Sequence, residues 1–150
     1  MATAHTPGMP PAEQFFALVG ERLGVGDLTS ERDFLALVEE RLPVSALNAL
    51  RDAGLAEDEV HELIIPRRTL AHRKAKGEAL TQEESDRTVR LARLTALAEG
   101  VFGETERAWR WMRKPKQRFA GRSPLAVLAT EAGARLVEEM LYQIDEGQAA

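Results

Sequence analysis

Apolar residues recur at intervals of three and four positions along most of the chain, which is the period of an amphipathic α-helix. Phe34, Val38 and Leu42 illustrate the pattern, because they share one face of a segment that Ser30 can cap and that Pro43 ends. No segment alternates apolar and polar residues over the length of a convincing strand, and no internal repeat occurs. The pattern therefore predicts an all-α fold. A further apolar stripe near the C-terminus comprises Leu136, Val137, Met140, Leu141 and Ile144.

Prolines, glycines and capping residues divide this pattern into a series of helices. Thr81 and Glu84 have the spacing of a capping box, in which each side chain accepts a hydrogen bond from the backbone amide of the other residue. Ser123 and Pro124 have the types expected at an N-cap and at the first helical position. Residues 1–11 carry three prolines and are predicted to be disordered. Helices are predicted over residues 12–23, 30–42, 44–53, 57–65, 66–76, 81–101, 105–112, 123–128 and 131–145.

Composition agrees with packed helices, since 44% of the residues are apolar but only 5% are aromatic. The chain contains no cysteine, which excludes disulfides and thiolate metal sites and fits a reducing cytoplasm. No apolar run has the length of a membrane span, and the first residues do not resemble a secretion signal. We therefore expect a cytoplasmic protein without a membrane partner.

Charge is segregated along the chain. Residues 1–63 carry 4 basic and 12 acidic side chains, whereas residues 64–122 carry 15 basic and 7 acidic ones. Residues 123–150 return to an excess of acid, with 1 basic and 5 acidic side chains. A basic middle region favours an anionic partner, and an acidic tail suits a cationic surface. The alternative is that these regions neutralise one another within the fold or in an oligomer.

Three consecutive short helices, over residues 44–53, 57–65 and 66–76, have the lengths and tight connections of a helix-turn-helix core. In that arrangement the last helix lies in the major groove of DNA. Its side chains are the predicted DNA contacts, with Arg67 and Arg73 leading and Leu70 as the inward anchor. The alternative is a solvated basic helix, or one that pairs with the acids of residues 57–62. The predicted DNA-binding set comprises Arg67, Arg68, Thr69, His72, Arg73, Lys74 and Lys76.

The C-terminal half also carries a set of residues at fixed spacing. They are Ala108, Trp111, Met112, Pro115, Phe119, Ala120, Gly121, Ser123, Pro124, Leu125, Leu128, Thr130, Gly133, Val137, Leu141, Ile144 and Gly147. This set resembles the toxin-binding domain of Xre/MbcA/ParS-type antitoxins, the bacterial partners of RES-domain toxins in type II toxin–antitoxin systems. The resemblance extends back through Thr81 and more weakly to Leu55. One departure is the turn Ile64–Ile65–Pro66, where the family favours a glycine-containing turn.

The resemblance implies an antitoxin that occludes the active site of a RES toxin, an enzyme type that resembles NAD-consuming ADP-ribosyltransferases. It also implies repression of its own operon, and a homodimer or a larger toxin–antitoxin complex. On this basis residues 1–29 are a flexible segment in which a short helix can form. Residues 30–80 are a helix-turn-helix-like domain of the Xre type, and residues 81–150 are the toxin-binding domain.

An acidic, partly apolar C-terminal tail is chemically suited to block a pocket that normally binds the phosphates of a dinucleotide. The bland interpretation of the apolar stripe is core packing, and we assign Phe102, Trp109, Trp111 and Phe119 mainly to the core. The predicted toxin-binding set comprises Lys114, Arg118, Glu138, Leu141, Tyr142, Ile144, Asp145 and Glu146.

The residue types and spacings of enzymatic sites are missing from the sequence. No histidine and carboxylate cluster has metal-ligand spacing, and neighbouring glutamates such as Glu83 and Glu84 diverge on a helix. No glycine-rich phosphate loop occurs, so we expect neither catalysis nor a cofactor. The alternative functions are a free-standing helix-turn-helix transcription regulator without a toxin, and a structural helical adaptor.

Overall fold

The computed structural model describes residues 8–147. In this range the chain forms α-helices and a short 3₁₀ helix, Gln117–Phe119, and no strand. The predicted all-α class is therefore confirmed, and each predicted helix is present with boundaries shifted by at most a few residues. The α-helices are α1 Ala12–Leu23, α2 Glu31–Glu40, α3 Ser45–Ala53, α4 Glu57–Leu63, α5 Arg67–Lys76, α6 Gln82–Phe102, α7 Thr105–Arg113, α8 Pro124–Val127 and α9 Glu131–Asp145.

Local capping explains where several helices begin. Asp33 Oδ2 accepts hydrogen bonds from the amides of Thr29 and Ser30, at 2.7 Å and 3.1 Å, in front of α2. Ser123 Oγ accepts the Ala126 amide at 3.1 Å at the start of α8. These bonds satisfy amides that have no partner inside the helix.

The chain divides into two compact units, and the divisions fall inside α1 and inside the long helix α6. One unit comprises Phe16–Ala92, and the other comprises Arg93 onward together with the residues before Phe16. The sequence predicts that the second domain starts at residue 81, where α6 is capped. In the first turn of α6, Ser85 Oγ accepts a hydrogen bond from the Leu42 amide at 2.9 Å, so this turn packs within the unit of residues 16–92.

The unit of residues 16–92 has an aliphatic core built from α1 to α6. Helices α1 to α5 are short, so each contributes only a few apolar side chains, and leucine supplies most of them. Burial of this kind is the main favourable term in folding. The largest fully buried side chains of this unit are Val19, Leu23, Leu42, Leu47, Leu50, Ile65, Leu80 and Leu91.

The unit that contains α7, α8 and α9 packs its helices closely around small residues. Gly133, in the first turn of α9, lies against the backbone of α8, so that an added Cβ would be 1.8 Å from the Val127 carbonyl oxygen. Trp109 and Phe119 are buried, as expected for core residues. The least exposed large side chains of this unit are Met112, Leu128, Met140 and Leu141.

The segment before α1 is attached to the same unit. Residues 1–7 of the predicted disordered stretch lie outside the described residues. The Gly8 amide donates to the Gly100 carbonyl oxygen at 3.0 Å, and the Met9 amide donates to Asp145 Oδ1 at 2.9 Å. Pro10 lies so close to Gly100 that an added Cβ there would be 2.5 Å from the Pro10 Cδ. The structure therefore differs from the expected disorder at Gly8–Pro10.

Candidate nucleic-acid interface and C-terminal surface

The turn between α4 and α5 is held by aliphatic side chains instead of a glycine. The amides of Ile64 and Ile65 both donate to the Val60 carbonyl oxygen, at 2.9 Å and 3.1 Å, which winds the chain tightly out of α4. Both isoleucine side chains are buried, with 3% and 0% exposure. Pro66 then starts α5, because its carbonyl oxygen accepts the Leu70 amide at 3.0 Å. The unusual turn sequence is thus compatible with a tight connection between two helices.

Arg67 lies at the first position of α5 and is paired with the acids at the start of α4. Its Nη1 is 3.1 Å from Glu57 Oε1, and its Nη2 is 3.6 Å from Asp58 Oδ1. Arg67 therefore forms the pairing with the preceding acids that the alternative interpretation of the basic helix predicts. The Arg67 side chain remains 65% exposed, and ion pairs at such exposure contribute at most about 1 kcal/mol, so a phosphate can replace them.

Apart from Arg73, the remaining basic residues of α5 are exposed. Arg68, His72 and Lys76 follow one another at four-residue spacing, which places them on one side of the helix, and all three are exposed. Lys74 is also exposed, whereas Thr69 is half-buried. Leu70 is buried as the predicted inward anchor. The DNA contacts that the sequence predicts on α5 therefore lie partly on its exposed face and partly on its inward side.

Arg73, one of the two predicted leading contacts, lies on the inward side. Its side chain is only 15% exposed, and its Nη2 donates to Glu84 Oε2 at 3.0 Å. Its Nε lies 3.0 Å from Glu84 Oε1, and its Nη1 lies 3.7 Å from Glu78 Oε2. The structure therefore does not bring Arg73 onto the exposed face that carries Arg68 and His72.

Glu84 joins this ion pair to the start of α6. Its Oε1 accepts the Thr81 amide at 2.8 Å, and its own amide donates to Thr81 Oγ1 at 3.1 Å, which forms the predicted capping box. Burial by itself would raise the pKa of Glu84. The hydrogen bonds from the Thr81 amide and the Arg73 guanidinium outweigh that effect and hold its pKa below the usual value.

The predicted toxin-binding residues of α9 also separate into inward and outward groups. Leu141 has 0% exposure, so it belongs to the core of its unit, because α9 buries Val137, Met140 and Leu141 together. Tyr142 is 46% exposed, and Asp145 and Glu146 are exposed beside it at the end of the helix. Glu138 and Ile144 are half-buried.

The turn after α7 supplies the basic residues predicted to meet the same partner. Arg118 is exposed and its Nη1 donates to Gln143 Oε1 at 2.9 Å, which attaches the turn to the outer side of α9. Lys114 is exposed. The structure thus brings Arg118 to α9, in the same unit as the exposed residues Tyr142 and Asp145.

A partly exposed aromatic pair lies in this unit and differs from the core assignment made from sequence. The rings of Phe102 and Trp111 are 5.6 Å apart between centroids, and both side chains are half-buried. Lys116 Nζ is 5.0 Å from the Trp111 ring centroid, and the Arg107 guanidinium is 5.9 Å from that of Phe102. Partial burial, and then the nearby charge of Lys114, lower the pKa of Lys116.

The part of the chain in residues 8–147 lacks a metal-binding cluster and a membrane-spanning helix. It holds no group of three or more histidine or acidic side chains placed to bind one metal ion. None of its helices combines the length and the apolar character that crossing a bilayer would require.

A basic helix that follows a tight turn, with a second helical unit after it, defines a helix-turn-helix protein with an additional C-terminal domain. The family model of the antitoxin Xre-like helix-turn-helix domain matches residues 33–93. The family model of the antitoxin Xre/MbcA/ParS C-terminal toxin-binding domain matches residues 97–147. The chain therefore belongs to the Xre/MbcA/ParS antitoxin family.

Two relatives of this chain are both named Antitoxin Xre. The chain is 48% identical over 98 residues to an Antitoxin Xre of Pseudomonas putida, and the match covers 65% of this chain and 62% of the relative. It is 34% identical over 84 residues to an Antitoxin Xre of Yersinia enterocolitica, covering 55% of this chain and 57% of the relative. The chain thus spans about three fifths of the length of these relatives.

Proposed function

We propose that this chain is an antitoxin that neutralises a RES-domain toxin by occluding its active site, and that it represses its own operon by binding operator DNA. The observation that carries the proposal is the exposed end of α9. There Tyr142, Asp145 and Glu146 project from a unit that matches a toxin-binding domain.

The chemistry of the α9 end suits the pocket of an NAD-consuming enzyme. Such a pocket holds a dinucleotide, whose phosphates require cationic and polar partners. The carboxylates of Asp145 and Glu146 can occupy the phosphate positions, while the Tyr142 ring supplies the large apolar contact that anchors interfaces. Complementary charge accelerates capture of the toxin, and the buried aromatic contact slows its release. Lys114, Arg118, Glu138 and Ile144 would form the rim of this surface.

A pair of matched substitutions on α9 tests this placement. Tyr142 and Leu136 are large apolar residues of one helix with nearly equal exposure, 46% and 45%, but only Tyr142 lies at its C-terminal end. Tyr142→Ala should weaken toxin inhibition at least tenfold, about 1.4 kcal/mol, whereas Leu136→Ala should inhibit like the parent chain. Inhibition is measured as residual NAD consumption by purified toxin during titration with each variant. Equal inhibition by both variants would exclude the α9 end as the toxin contact.

The DNA-binding part of the proposal relies on the outward face of α5. Arg68, His72 and Lys76 are presented together, and Arg67 at the start of the helix can exchange exposed carboxylate partners for phosphates. Lys74 and Thr69 would add backbone contacts. A homodimer, alone or within a toxin–antitoxin hetero-oligomer, would place two such helices on a two-fold symmetric operator. Since DNA and the proposed toxin are both cytoplasmic, the cytoplasm is its proposed location.

A free-standing transcription regulator without a toxin is the second candidate function. The exposed basic face of α5 favours it, because that face requires only DNA as its partner. The toxin titration separates the candidates: a regulator of this kind binds its promoter but leaves NAD consumption unchanged at every concentration. Neither candidate function includes catalysis by this chain.

A further inference from the structure

Helix α5 is attached to its own unit by very little apolar surface. Leu70 is its one buried residue among those that the structure describes. The residue one turn later on the same side is Arg73, whose guanidinium lies on Glu84 instead of facing solvent. A helix with a single apolar anchor can rotate or slide about it, so a second attachment is needed to fix its orientation.

We propose that Arg73 is a positioning residue. Through its ion pair with Glu84 it fixes α5 on the start of α6, and it makes no contact with DNA itself. This inference rests on the proposed function, in which the outward face of α5 binds operator DNA. Sequence-specific DNA binding then depends on the orientation of that face. The ion pair between Arg73 and Glu84, on the opposite side of the helix, fixes this orientation.

The partner of Arg73 is itself held firmly. Glu84 is 8% exposed, and the capping box with Thr81 fixes its carboxylate at the first turn of α6. Arg41 supports the connection between α5 and α6 from the other side, because its Nε donates to the Leu80 carbonyl oxygen at 2.7 Å and its Nη2 to that of Ala79 at 3.2 Å. The Leu80 amide in turn donates to the carbonyl oxygen of Leu42 at 2.9 Å. Arg73 is therefore paired with a carboxylate whose position is fixed.

Arg67 and Arg73, the two arginines predicted as leading DNA contacts, differ in how deeply their carboxylate partners are buried. If Arg73 turned to a phosphate, it would leave a nearly buried carboxylate without its cation, which is strongly unfavourable. Arg67 pairs with carboxylates that are 52% and 87% exposed, so water can replace it there at little cost. Arg67 is therefore free to contact DNA, and Arg73 is retained by its own unit.

Glu84→Gln is the decisive substitution, because the loss of a negative charge and the loss of the ion pair change the affinity for operator DNA in opposite directions. Glutamine can still accept the Thr81 amide, so the cap of α6 is kept, while the ion pair with Arg73 is lost. Removing a negative charge from a DNA-binding unit strengthens binding if charge alone matters. Weaker binding to the operator, with undiminished binding to unrelated DNA, then indicates a displaced α5, because unfolding would weaken both. The matched control is Glu83→Gln, which removes the same charge from an exposed neighbouring residue.

The assay is fluorescence anisotropy with a duplex that spans the chain's own promoter, and with an unrelated duplex of equal length. We expect Glu84→Gln to weaken promoter binding at least tenfold while binding to the unrelated duplex stays within twofold of the parent chain. Glu83→Gln should leave both affinities unchanged or slightly higher. If Glu84→Gln and Glu83→Gln behave alike, the positioning role is wrong. A parent chain without any preference for the promoter would instead refute the proposed DNA function.

A salt titration gives a second readout that does not depend on Glu84. A residue that contacts a phosphate contributes about one unit to the slope of log affinity against log salt concentration. Arg67→Ala should lower this slope by about one, whereas Arg73→Ala should weaken promoter binding with the slope unchanged. A slope lowered by about one in Arg73→Ala would identify Arg73 as a phosphate contact and overturn the proposal.

Discussion

Substitution of Gly133 by alanine should destabilise the C-terminal unit more than any other single added methyl group on α9. A Cβ at this position would lie 1.8 Å from the Val127 carbonyl oxygen and 2.7 Å from its carbonyl carbon, both backbone atoms of α8. Ordinary contacts begin at 3.4 Å, so α8 and α9 must separate by about 1.6 Å. Overpacking of this kind costs up to about 3 kcal/mol.

Two smaller effects act on the same position. The Gly133 amide donates to Thr130 Oγ1 at 3.0 Å, so a shift of α9 also weakens its N-cap, which is worth about 1 kcal/mol. Alanine is a better helix former than glycine, and this offsets the loss by about 1 kcal/mol. The expected net decrease in the free energy of unfolding is therefore about 3 kcal/mol.

Urea unfolding followed by tryptophan fluorescence measures this decrease, because both tryptophans, Trp109 and Trp111, belong to the same unit as Gly133. Ala132→Ser is the matched control, since it adds one atom at an exposed neighbour on α9 and should change the stability by less than about 0.5 kcal/mol. A Gly133→Ala variant as stable as this control would refute the inferred close approach of α8 and α9.

Three further predictions follow from the contacts of Thr81, Glu84 and Gly100. Thr81→Ala should lower the free energy of unfolding by about 1 kcal/mol in urea, because the Glu84 amide loses its capping oxygen; an unchanged midpoint would contradict this. Since the pKa of Glu84 is lowered in the folded state, its stabilising contribution is complete at neutral pH and is lost as pH falls through that pKa. The stability difference between the parent chain and Glu84→Gln should therefore shrink in acid, and a difference independent of pH would exclude the ion pair. Gly100→Val should displace Pro10 and accelerate hydrogen exchange at the Gly8 amide, which an unchanged exchange rate would disprove.

The helices could be predicted from the sequence because their start and stop signals are local. Thr81 and Glu84 lie three residues apart, and the capping box that they form requires no distant residue. Ser123 before Pro124 marks the start of α8 for the same reason. Gly77 adopts the left-handed conformation, with a φ of 66°, that ends α5.

The roles of individual side chains were harder to predict, because they depend on partners that are distant in the sequence. Arg73 and Arg67 look equivalent in the chain, yet Arg73 meets Glu84 on the inner side of α5. The one available signal was the spacing of three residues from Leu70, which places Arg73 on the inward side of α5. The sequence predicts Leu141 on the toxin surface, but the apolar stripe to which it belongs is typical of a core, and in the structure Leu141 has 0% exposure.

The position of Gly8–Pro10 could not be predicted from the sequence. Prolines and a glycine at that end are typical of disorder, and nothing local indicates that Gly100 leaves room for Pro10 on α6. The contact is possible because Gly100, ninety residues after Pro10, has no side chain. Such complementarity between distant positions is visible only in the folded chain.

The proposed function is tested most directly by titrating a purified RES-domain toxin with this chain. NAD consumption is followed while the antitoxin concentration increases. If the chain occludes the active site of the toxin, consumption falls to zero at a fixed molar ratio, and Tyr142→Ala shifts the titration to higher concentrations. NAD consumption that continues at full rate in a large excess of the parent chain would refute the antitoxin role.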